Sequence, residues 1–97
     1  MTYELAFHPD ALLEWKKLDG TVREQFKGKL TERLDTPRVD SARVSGGKDL
    51  YKIKLRALGY RLVYQVQDKT ITVLVLAVGK RERNAAYEYA LRRIEGK

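Results

Sequence analysis

The sequence predicts a single compact α+β domain spanning residues 1–97, in which a helical hairpin packs on a mostly antiparallel sheet. Three observations lead to this fold class. A chain of 97 residues has the length of one domain. Apolar residues alternate with polar ones near the N-terminus and again after residue 50, which is typical of strands. Between these two stretches, and again near the C-terminus, they recur at helical spacing. The predicted order is therefore strand, helix, helix, strand, strand, strand, helix.

The first strand and first helix are predicted around a His-Pro-Asp sequence. Tyr3, Leu5 and Phe7 alternate with Thr2, Glu4 and Ala6, which indicates a strand with one buried face. Proline suits the first turn of a helix and an early aspartate suits the helix dipole, so a helix is expected to start at residues 8–10. Its inner side is predicted to carry Ala11, Leu12, Trp15 and Leu18.

A second helix is predicted to follow after Asp19-Gly20 and to run to about Asp35. Thr21 and Glu24 have capping-box spacing. The apolar residues of this segment recur every four positions, at Val22, Phe26, Leu30 and Leu34. Pro37 ends the helix, and the two helices are expected to form an antiparallel hairpin. Residues 36–48 lack periodicity and are predicted to be an irregular loop.

Three strands joined by short turns are predicted next. In the first of them, Tyr51, Ile53 and Leu55 lie on one face, and the opposite face carries Lys52, Lys54 and Arg56. After a turn at residues 57–59, the buried face of the following strand is predicted to carry Tyr60, Leu62, Tyr64 and Val66. If the two strands pair with both apolar faces on one core, Arg61 must share the face of the two lysines.

The remaining elements are a central strand and a final helix. Asp68-Lys69 is predicted to be a tight turn, and residues 71–78 are almost continuously apolar, as expected for a strand covered on both faces. A basic loop follows at residues 80–83, with Asn84 as the expected helix cap. The last helix is predicted to dock on the sheet through Tyr87, Ala90, Leu91 and Ile94, while Arg92 and Arg93 suit the dipole at its C-terminus.

The distribution of charge indicates a polyanionic partner. The chain has 20 Lys and Arg against 13 Asp and Glu, which gives a net charge of +7. Residues 1–47 hold as many acidic as basic side chains, so the whole excess lies in residues 48–97. Nucleic acid is the usual partner of such an asymmetric basic surface. The alternative is a basic surface that is merely solvated.

Several classes of site are disfavoured by composition. The chain has no cysteine, which rules out disulfides, thiolate metal sites and thiol nucleophiles and suits a reducing cytoplasm. His8 is the only histidine, and its position beside Pro9 favours a local structural role. Gly46-Gly47-Lys48 departs from the phosphate-binding loop pattern and precedes a strand. No segment is long and apolar enough to suggest a signal peptide or membrane span, so a cytoplasmic protein is expected. No metal or other cofactor is expected either.

A cluster of cations remains as the candidate site: Lys52, Lys54, Arg61 and Arg81. Side chains two apart on a strand are about 7 Å apart, which is comparable to the spacing of phosphates along a nucleic acid strand. RNA carries its own nucleophile in the 2′-hydroxyl, so Lys and Arg side chains could align, deprotonate and stabilise the reacting groups without a metal. DNA would be bound but not cut. A surface that only binds phosphate is the structural alternative.

Three segments together resemble the RelE toxins of bacterial and archaeal toxin–antitoxin pairs. These segments are Tyr51-Lys-Ile-Lys-Leu-Arg56, Gly59-Tyr-Arg-Leu-Val-Tyr64, and Val78-Gly-Lys-Arg-Glu-Arg83 with Tyr87. The resemblance covers nearly the whole chain. It implies a ribosome-dependent endoribonuclease that cleaves messenger RNA codons in the ribosomal A site and thereby inhibits translation.

The resemblance also implies roles for particular residues. Lys52 and Lys54 would be the general base and its neighbour, with the neighbour also steadying the developing charge. Arg61 would bind the scissile phosphate, Arg81 would assist the leaving group, and Tyr87 would stack on the substrate. We expect the other basic residues around this face to bind RNA or the ribosome, namely Arg43, Lys48, Arg56, Lys80 and Arg83. Ser45 departs from the pattern, because close relatives carry an arginine at this position, immediately before the glycine that is Gly46 here.

The same resemblance implies partners and an alternative activity. A RelB-type antitoxin would neutralise the toxin, and the complex would bind operator DNA to repress its own operon. No membrane partner is expected. One alternative is a ParE-like toxin that inhibits DNA gyrase by protein contact, although such relatives generally lack the Lys and Arg set. The other is a nucleic-acid-binding module without catalysis.

Overall fold

The computed structural model describes residues 2–80 and 85–96, and these residues form three α-helices and four strands. In chain order the elements are β1 (Glu4–Phe7), α1 (Pro9–Lys16), α2 (Gly20–Asp35), β2 (Leu50–Leu55), β3 (Tyr60–Gln67), β4 (Thr72–Lys80) and α3 (Ala85–Gly96). The sheet order is β1-β4-β3-β2. Only β1 and β4 run parallel among these neighbours, and the other pairs are antiparallel. The predicted α+β class and element order are confirmed.

The sheet separates two apolar layers, which explains the near-continuous apolar run of β4. Val73 and Val75 pack in the layer that contains α1 and α2, whereas Leu76 and Ala77 pack in the layer that contains α3. Both layers are needed to bury this strand, as expected for a central position. A shift in register between Val63 and Tyr64 of β3 leaves Leu76 as an extra residue in β4. Such a bulge turns two successive side chains toward α3.

Side chains cap both helices of the hairpin. The Nδ1 atom of His8 accepts a hydrogen bond of 3.1 Å from the backbone N–H of Asp10, which gives this histidine the predicted structural role. The carboxylate of Asp19 accepts a hydrogen bond of 3.0 Å from the backbone N–H of Thr21 and caps α2. The prediction of a capping box at Thr21 is therefore wrong. Aspartate is as good an N-cap as threonine, and its position two residues earlier adds Gly20 and Thr21 to the helix.

The apolar faces of the hairpin are mostly as predicted. Val22, Phe26 and Leu30 of α2 are buried, and the Trp15 ring lies between those of Phe7 and Phe26 at centroid distances of 5.2 and 6.3 Å. Leu12 and Leu5, in contrast, were predicted to be buried and are 36 % and 40 % exposed. Leu5 lies on β1, an edge strand, so it lacks a neighbouring strand on one side. Leu12 lies in the middle of α1, where Ala11 is the buried residue.

The loop before β2 is held against the sheet and α3. It contains a 3-10 turn at Asp40–Ala42, which the prediction of an irregular loop did not include. The Val44 N–H donates a 2.9 Å hydrogen bond to the Leu50 carbonyl, and Gly46 has a positive φ of 97° that glycine adopts at little cost. A Cβ atom on Gly47 would lie 2.4 Å from Leu50 Cδ1 and 3.1 Å from Leu91 Cδ2. This glycine therefore permits the loop to approach α3 closely.

Side chains also hold the outer strand β2 to α2. Arg33 donates hydrogen bonds to the Lys52 carbonyl, at 3.2 Å, and to the Tyr64 hydroxyl, at 2.8 Å. Tyr64 in turn donates to the Pro37 carbonyl at 2.7 Å. Arg33 thus gives the Lys52 carbonyl of this edge strand a hydrogen-bond donor, and the contacts together hold β2 against the helical layer. No helix among the described residues has the length and apolar character needed to cross a membrane.

Candidate active site: a cationic sheet face beside Tyr87

The pairing of β2 with β3 brings the predicted cations onto one face of the sheet. Lys54 lies directly opposite Arg61, and Lys52 lies opposite Val63. Directly paired residues project from the same face, so Lys52, Lys54 and Arg61 share it, as the hairpin argument predicted. Tyr51 and Ile53 project to the other face, into the layer of α1 and α2. The buried alternation of β2 therefore determines where its lysines point.

Helix α3 adds Tyr87 to this face. The guanidinium carbon of Arg61 lies 5.2 Å from the ring centroid of Tyr87, and Lys52 Nζ lies 6.0 Å from it. Tyr87 is half-buried against the apolar layer beneath α3. The ring can therefore pack on the core and face two cations at once. Packing on the core therefore leaves Tyr87 within contact distance of the cationic face, and the substrate role implied by the resemblance stays a prediction.

Two clefts adjoin the cationic face. One, of about 400 Å³, is lined by residues of the loop before β2, by β2 and by α3, namely Arg43, Val44, Ser45, Lys52, Tyr87 and Glu88. The other, of about 200 Å³, lies around the β2–β3 turn and is lined by Lys54, Leu55, Arg56, Gly59, Tyr60 and Arg61. Together they give the face room for a ligand on both sides of the Lys52–Arg61 region.

The remaining predicted binding residues are distributed unevenly around this face. Arg43 lies at the Tyr87 cleft, with its guanidinium carbon 5.8 Å from the Tyr51 ring centroid. Arg56 lies in the exposed turn after β2, beside Lys54 and Arg61, instead of continuing the strand. Lys80 ends β4 opposite Tyr60, one position from the Arg61–Gly79 pair.

Lys48 is not brought to the site. Lys48 lies just before the first residue of β2, whereas Lys54 lies near the other end of this strand. Lys48 lines a separate groove with Gln65 and Lys69. Its side chain therefore does not join the cluster, because the hairpin is extended and separates the two ends of β2. Arg81, Arg83 and Asn84 lie outside the described residues.

The chemistry available at this face is that of amines, guanidinium groups and a phenol ring. Cations on a half-buried surface bind phosphate, and arginine provides paired donors for two phosphate oxygens. Within residues 2–80 and 85–96, no group of three or more His, Asp or Glu side chains could hold a metal ion. The amines and guanidinium groups of the face are suited to binding and polarising a phosphodiester.

Sequence reasoning missed an ion pair that ties α3 to α1. The guanidinium of Arg93 contacts the carboxylate of Glu14 at 2.9 and 3.0 Å, and this contact raises the pKa of Arg93. Arg93 was expected only to complement the helix dipole. A signal was present in the sequence: Glu14 follows Ala11 by three residues and Arg93 follows Ala90 by three, which places both charges beside apolar helix faces.

Comparison with known proteins identifies relatives of this chain. Residues 5–85 match a family model described as the ParE toxin of the parDE type II toxin–antitoxin system. The mRNA interferase toxin RelE of Escherichia coli (strain K12) is 54 % identical over 94 residues, which cover 97 % of this chain and 99 % of that protein. The structure of a mutant E. coli toxin RelE in the free state superposes with a TM-score of 0.90 at 52 % identity, covering 97 % of this chain and 99 % of that one.

A second solved structure shows a relative together with its antitoxin. The toxin chain matched in the intact E. coli RelBE toxin–antitoxin complex is 56 % identical to this chain, with a TM-score of 0.80, covering 84 % of this chain and 99 % of that one. The identity and the coverage both extend far beyond the cationic segments. The chain belongs to the RelE family within the RelE and ParE toxins of type II toxin–antitoxin systems.

Proposed function

We propose that this chain is a ribosome-dependent mRNA endoribonuclease that cleaves codons in the ribosomal A site by attack of the RNA 2′-hydroxyl. The observation that carries the proposal is the meeting of Lys52, Lys54, Arg61 and Tyr87 on one sheet face. The name mRNA interferase of the E. coli relative supports the same reaction. The proposed substrate places the protein in the cytoplasm.

The proposed reaction needs in-line alignment, removal of the 2′-hydroxyl proton, stabilisation of charge at the phosphoryl group and protonation of the departing 5′-oxygen. Lys52 accepts the proton of the 2′-hydroxyl as a general base, through its neutral amine. The freed oxygen attacks phosphorus, while Lys54 and Arg61 stabilise the charge that develops on the phosphoryl oxygens. The bond to the 5′-oxygen breaks, and Arg81 donates a proton to this oxygen or stabilises its charge. The products are a 2′,3′-cyclic phosphate and a 5′-hydroxyl.

Tyr87 and the adjoining clefts are proposed to orient the RNA. Tyr87 lies beside Lys52 and Arg61, so a base stacked on its ring would hold the neighbouring phosphate near both cations. In-line attack demands such orientation, because the 2′-oxygen, phosphorus and 5′-oxygen must be aligned. Arg43, Arg56, Lys80 and Arg83 are proposed to bind RNA or ribosomal RNA around this centre. Lys48 would contact the ribosome separately.

The ribosome is proposed to complete the alignment. The cationic face lies on an open sheet surface with exposed Lys54 and Arg56, which does not by itself enclose a flexible strand. A codon held in the A site is already restrained, and this reduces the entropic cost of reaching the reactive geometry. We therefore expect slow cleavage of free RNA and fast cleavage of ribosome-bound RNA.

A RelB-type antitoxin is proposed as the protein partner. The relative in the RelBE complex is bound to its antitoxin, and this chain shares 56 % of its sequence. The positive charge of residues 48–97 would favour an acidic segment in the antitoxin. Repression of the operon is proposed to require this complex, which would bring operator DNA to the toxin only through the antitoxin.

A ParE-like action on DNA gyrase is the second candidate, because the matching family model is described as a ParE toxin. Such an action needs protein contact and does not require the cationic set. The identity to RelE and the presence of Lys52, Lys54 and Arg61 favour RNA cleavage over this candidate.

One experiment separates these candidates. The protein is produced without its antitoxin in bacteria, and the 5′ ends of messenger RNA are mapped by primer extension. RNA cleavage predicts new ends within translated codons that disappear when translation initiation is blocked. Gyrase inhibition predicts DNA damage with intact messenger RNA, and a binding module predicts neither effect. A matched test in vitro uses ribosome complexes whose A-site codon carries 2′-deoxy sugars, which should resist cleavage.

A further inference from the structure

Glu14 and Arg93 meet at the part of β4 that extends beyond its pairing with β1. The pairing ends with Phe7 opposite Val75, after which the His8 N–H donates to the Val75 carbonyl at 2.8 Å. The backbone of β4 continues for several residues past this point. In this part of β4, the backbone N–H and C=O groups that point away from β3 need hydrogen-bond partners other than a strand.

The ion pair supplies those partners. Arg93 Nη1 donates to the Leu76 carbonyl at 2.7 Å, and Glu14 Oε1 accepts from the Val78 N–H at 3.1 Å. The two terminal guanidinium nitrogens of Arg93 also donate to the Glu14 carboxylate, at 3.0 Å from Nη1 and 2.9 Å from Nη2. Glu14 and Arg93 therefore act on β4 as a neighbouring strand would, one as acceptor and the other as donor.

The pair is largely withdrawn from solvent. The side chain of Arg93 is 14 % exposed and that of Glu14 is 27 % exposed. Asp10 adds a second carboxylate at 3.8 Å from Arg93 Nε. Removal of one member would leave the other charge half-buried without its partner, which is costly. The bidentate geometry also fixes the orientation of the Arg93 side chain, because its planar guanidinium must face both Glu14 and the β4 backbone.

Helix α3 transmits this contact to the candidate site. Tyr87 lies on the same helix as Arg93, six residues earlier, or about 9 Å along the axis. Between them, Ala90 is fully buried, so this part of α3 packs closely on the apolar layer that includes Val63 and Leu76. A short amphipathic helix draws its stability from tertiary contacts of this kind. The position of its last turns therefore affects where the Tyr87 ring lies relative to Lys52 and Arg61.

We infer that Glu14 and Arg93 are positioning residues: their ion pair fixes α3 on β4 in the register that places Tyr87 against Lys52 and Arg61. The effect on cleavage rests on the proposed function, whereas the effect on the position of Tyr87 does not. Neither residue touches substrate in this account.

The position of Tyr87 can be measured by nuclear magnetic resonance without any activity. The ring of Tyr87 should shift the side-chain proton resonances of Lys52 and Arg61, and Tyr87→Leu identifies these shifts. Arg93→Gln and Glu14→Gln should reduce them, although Glu14→Gln keeps an acceptor for the Val78 N–H and should preserve the sheet. Arg92→Gln is the matched control, because it removes the same charge from an exposed position on the same helix. Unchanged shifts in folded Arg93→Gln and Glu14→Gln would overturn the inference.

The consequence for cleavage is measured on ribosome-bound messenger RNA with a double-mutant cycle. Arg93→Gln alone should lower the rate at saturating ribosome complex about 10- to 100-fold, since small misplacements of an orienting group have effects of this size. In a Tyr87→Ala background the same substitution should cost less than about twofold, because its effect acts through Tyr87. Equal losses in both backgrounds would contradict this. If the unmodified protein cleaves nothing, the proposed function fails and the resonance shifts still decide the positioning role.

Discussion

The guanidinium carbon of Arg61 lies 5.2 Å from the ring centroid of Tyr87, which joins β3 to α3 across the cationic face. A contact of this type contributes about 0.5–1 kcal/mol at exposed sites. It also gives the ring a fixed place beside the group proposed to bind the scissile phosphate. Two secondary-structure elements that are distant in sequence are thus brought together at the candidate site.

The ring of Tyr87, and not its hydroxyl, is predicted to carry most of its contribution. Tyr87→Phe keeps the ring beside both cations, so we expect it to retain most of the cleavage rate. Tyr87→Ala removes the stacking surface and should lower cleavage about 10- to 100-fold. Single-turnover cleavage of ribosome-bound messenger RNA measures both variants. A loss in Tyr87→Phe equal to that in Tyr87→Ala would instead assign the contribution to the hydroxyl.

Tyr64 and Tyr51 form a matched pair for testing buried hydroxyl groups. Their rings are stacked, with centroids 5.8 Å apart, and both residues are fully buried. The Tyr64 hydroxyl bonds to Pro37 and Arg33, whereas the Tyr51 hydroxyl has no hydrogen-bond partner among the described protein atoms. We expect Tyr64→Phe to lower the free energy of unfolding by about 1–3 kcal/mol and Tyr51→Phe to change it little.

Urea denaturation measures the free energy of unfolding of both variants, and an unchanged m-value shows that a shift in midpoint reports stability. Equal losses in the two phenylalanine variants would show that hydrogen bonding of Tyr64 is not the reason for its contribution.

Much of the fold follows from residue patterns because burial in this chain is regular. The alternation around Lys52 and Lys54 fixes which face of β2 is apolar, and the hairpin then determines the face of Arg61. The position of β1 could not be deduced in this way, since parallel pairing with β4 depends on contacts between distant segments. The bulge at Leu76 is likewise set by packing of two layers and leaves no simple periodic signal.

The candidate site is predictable only in part for a related reason. Charge and alternation locate the cations, but the contribution of α3 depends on how that helix docks. Spacing could not decide whether Tyr87 packs on the core or contacts the substrate; in the structure it packs on the core and also faces the cations. The sequence places Glu14 and Arg93 each beside an apolar helix face, but their pairing spans the chain, so only the three-dimensional arrangement reveals that they are partners.

Asp68 is predicted to make stability depend on pH in the acidic range. Arg38 and then Tyr3 bond to its carboxylate, at 3.0 and 2.8 Å, and both contacts lower the pKa of Asp68. A carboxyl whose pKa is lower in the folded state stabilises the fold above its unfolded pKa of about 3.9, and this contribution disappears as pH falls through the folded value. Asp68→Asn should therefore lower the melting temperature slightly at pH 7.

The difference between Asp68→Asn and the unmodified protein should vanish at pH values below the lowered pKa. Because Asp68 is exposed, added salt should also reduce the difference at pH 7. Melting curves recorded across pH and salt test both statements. A difference that persists undiminished at low pH would contradict the role of the carboxylate charge.

Gly47 is predicted to control the approach of the loop before β2 to α3. A Cβ atom there would lie within 3.1 Å of side-chain atoms of Leu50 and Leu91, and Leu50 is fully buried. Gly47→Ala should therefore lower the free energy of unfolding by about 1–3 kcal/mol through overpacking. Gly28→Ala is the control, because a Cβ atom there meets no atom within 4 Å and alanine favours the helix. Equal stability of Gly47→Ala and the unmodified protein would refute the close approach.

The catalytic role of the cationic face is best tested by single-turnover cleavage of ribosome-bound messenger RNA by Lys54→Ala, Arg61→Ala and Lys29→Ala. Lys54 and Arg61 lie directly opposite each other on the cationic face, whereas Lys29 is an exposed residue of α2, a helix that packs on the other face of the sheet. All three variants lose one positive charge. Loss of a charge-stabilising group predicts cleavage about 100- to 1000-fold slower for Lys54→Ala and Arg61→Ala, with unchanged melting temperatures and no effect of Lys29→Ala. Cleavage by folded Lys54→Ala and Arg61→Ala at the rate of Lys29→Ala would show that the cationic face does not stabilise the reaction.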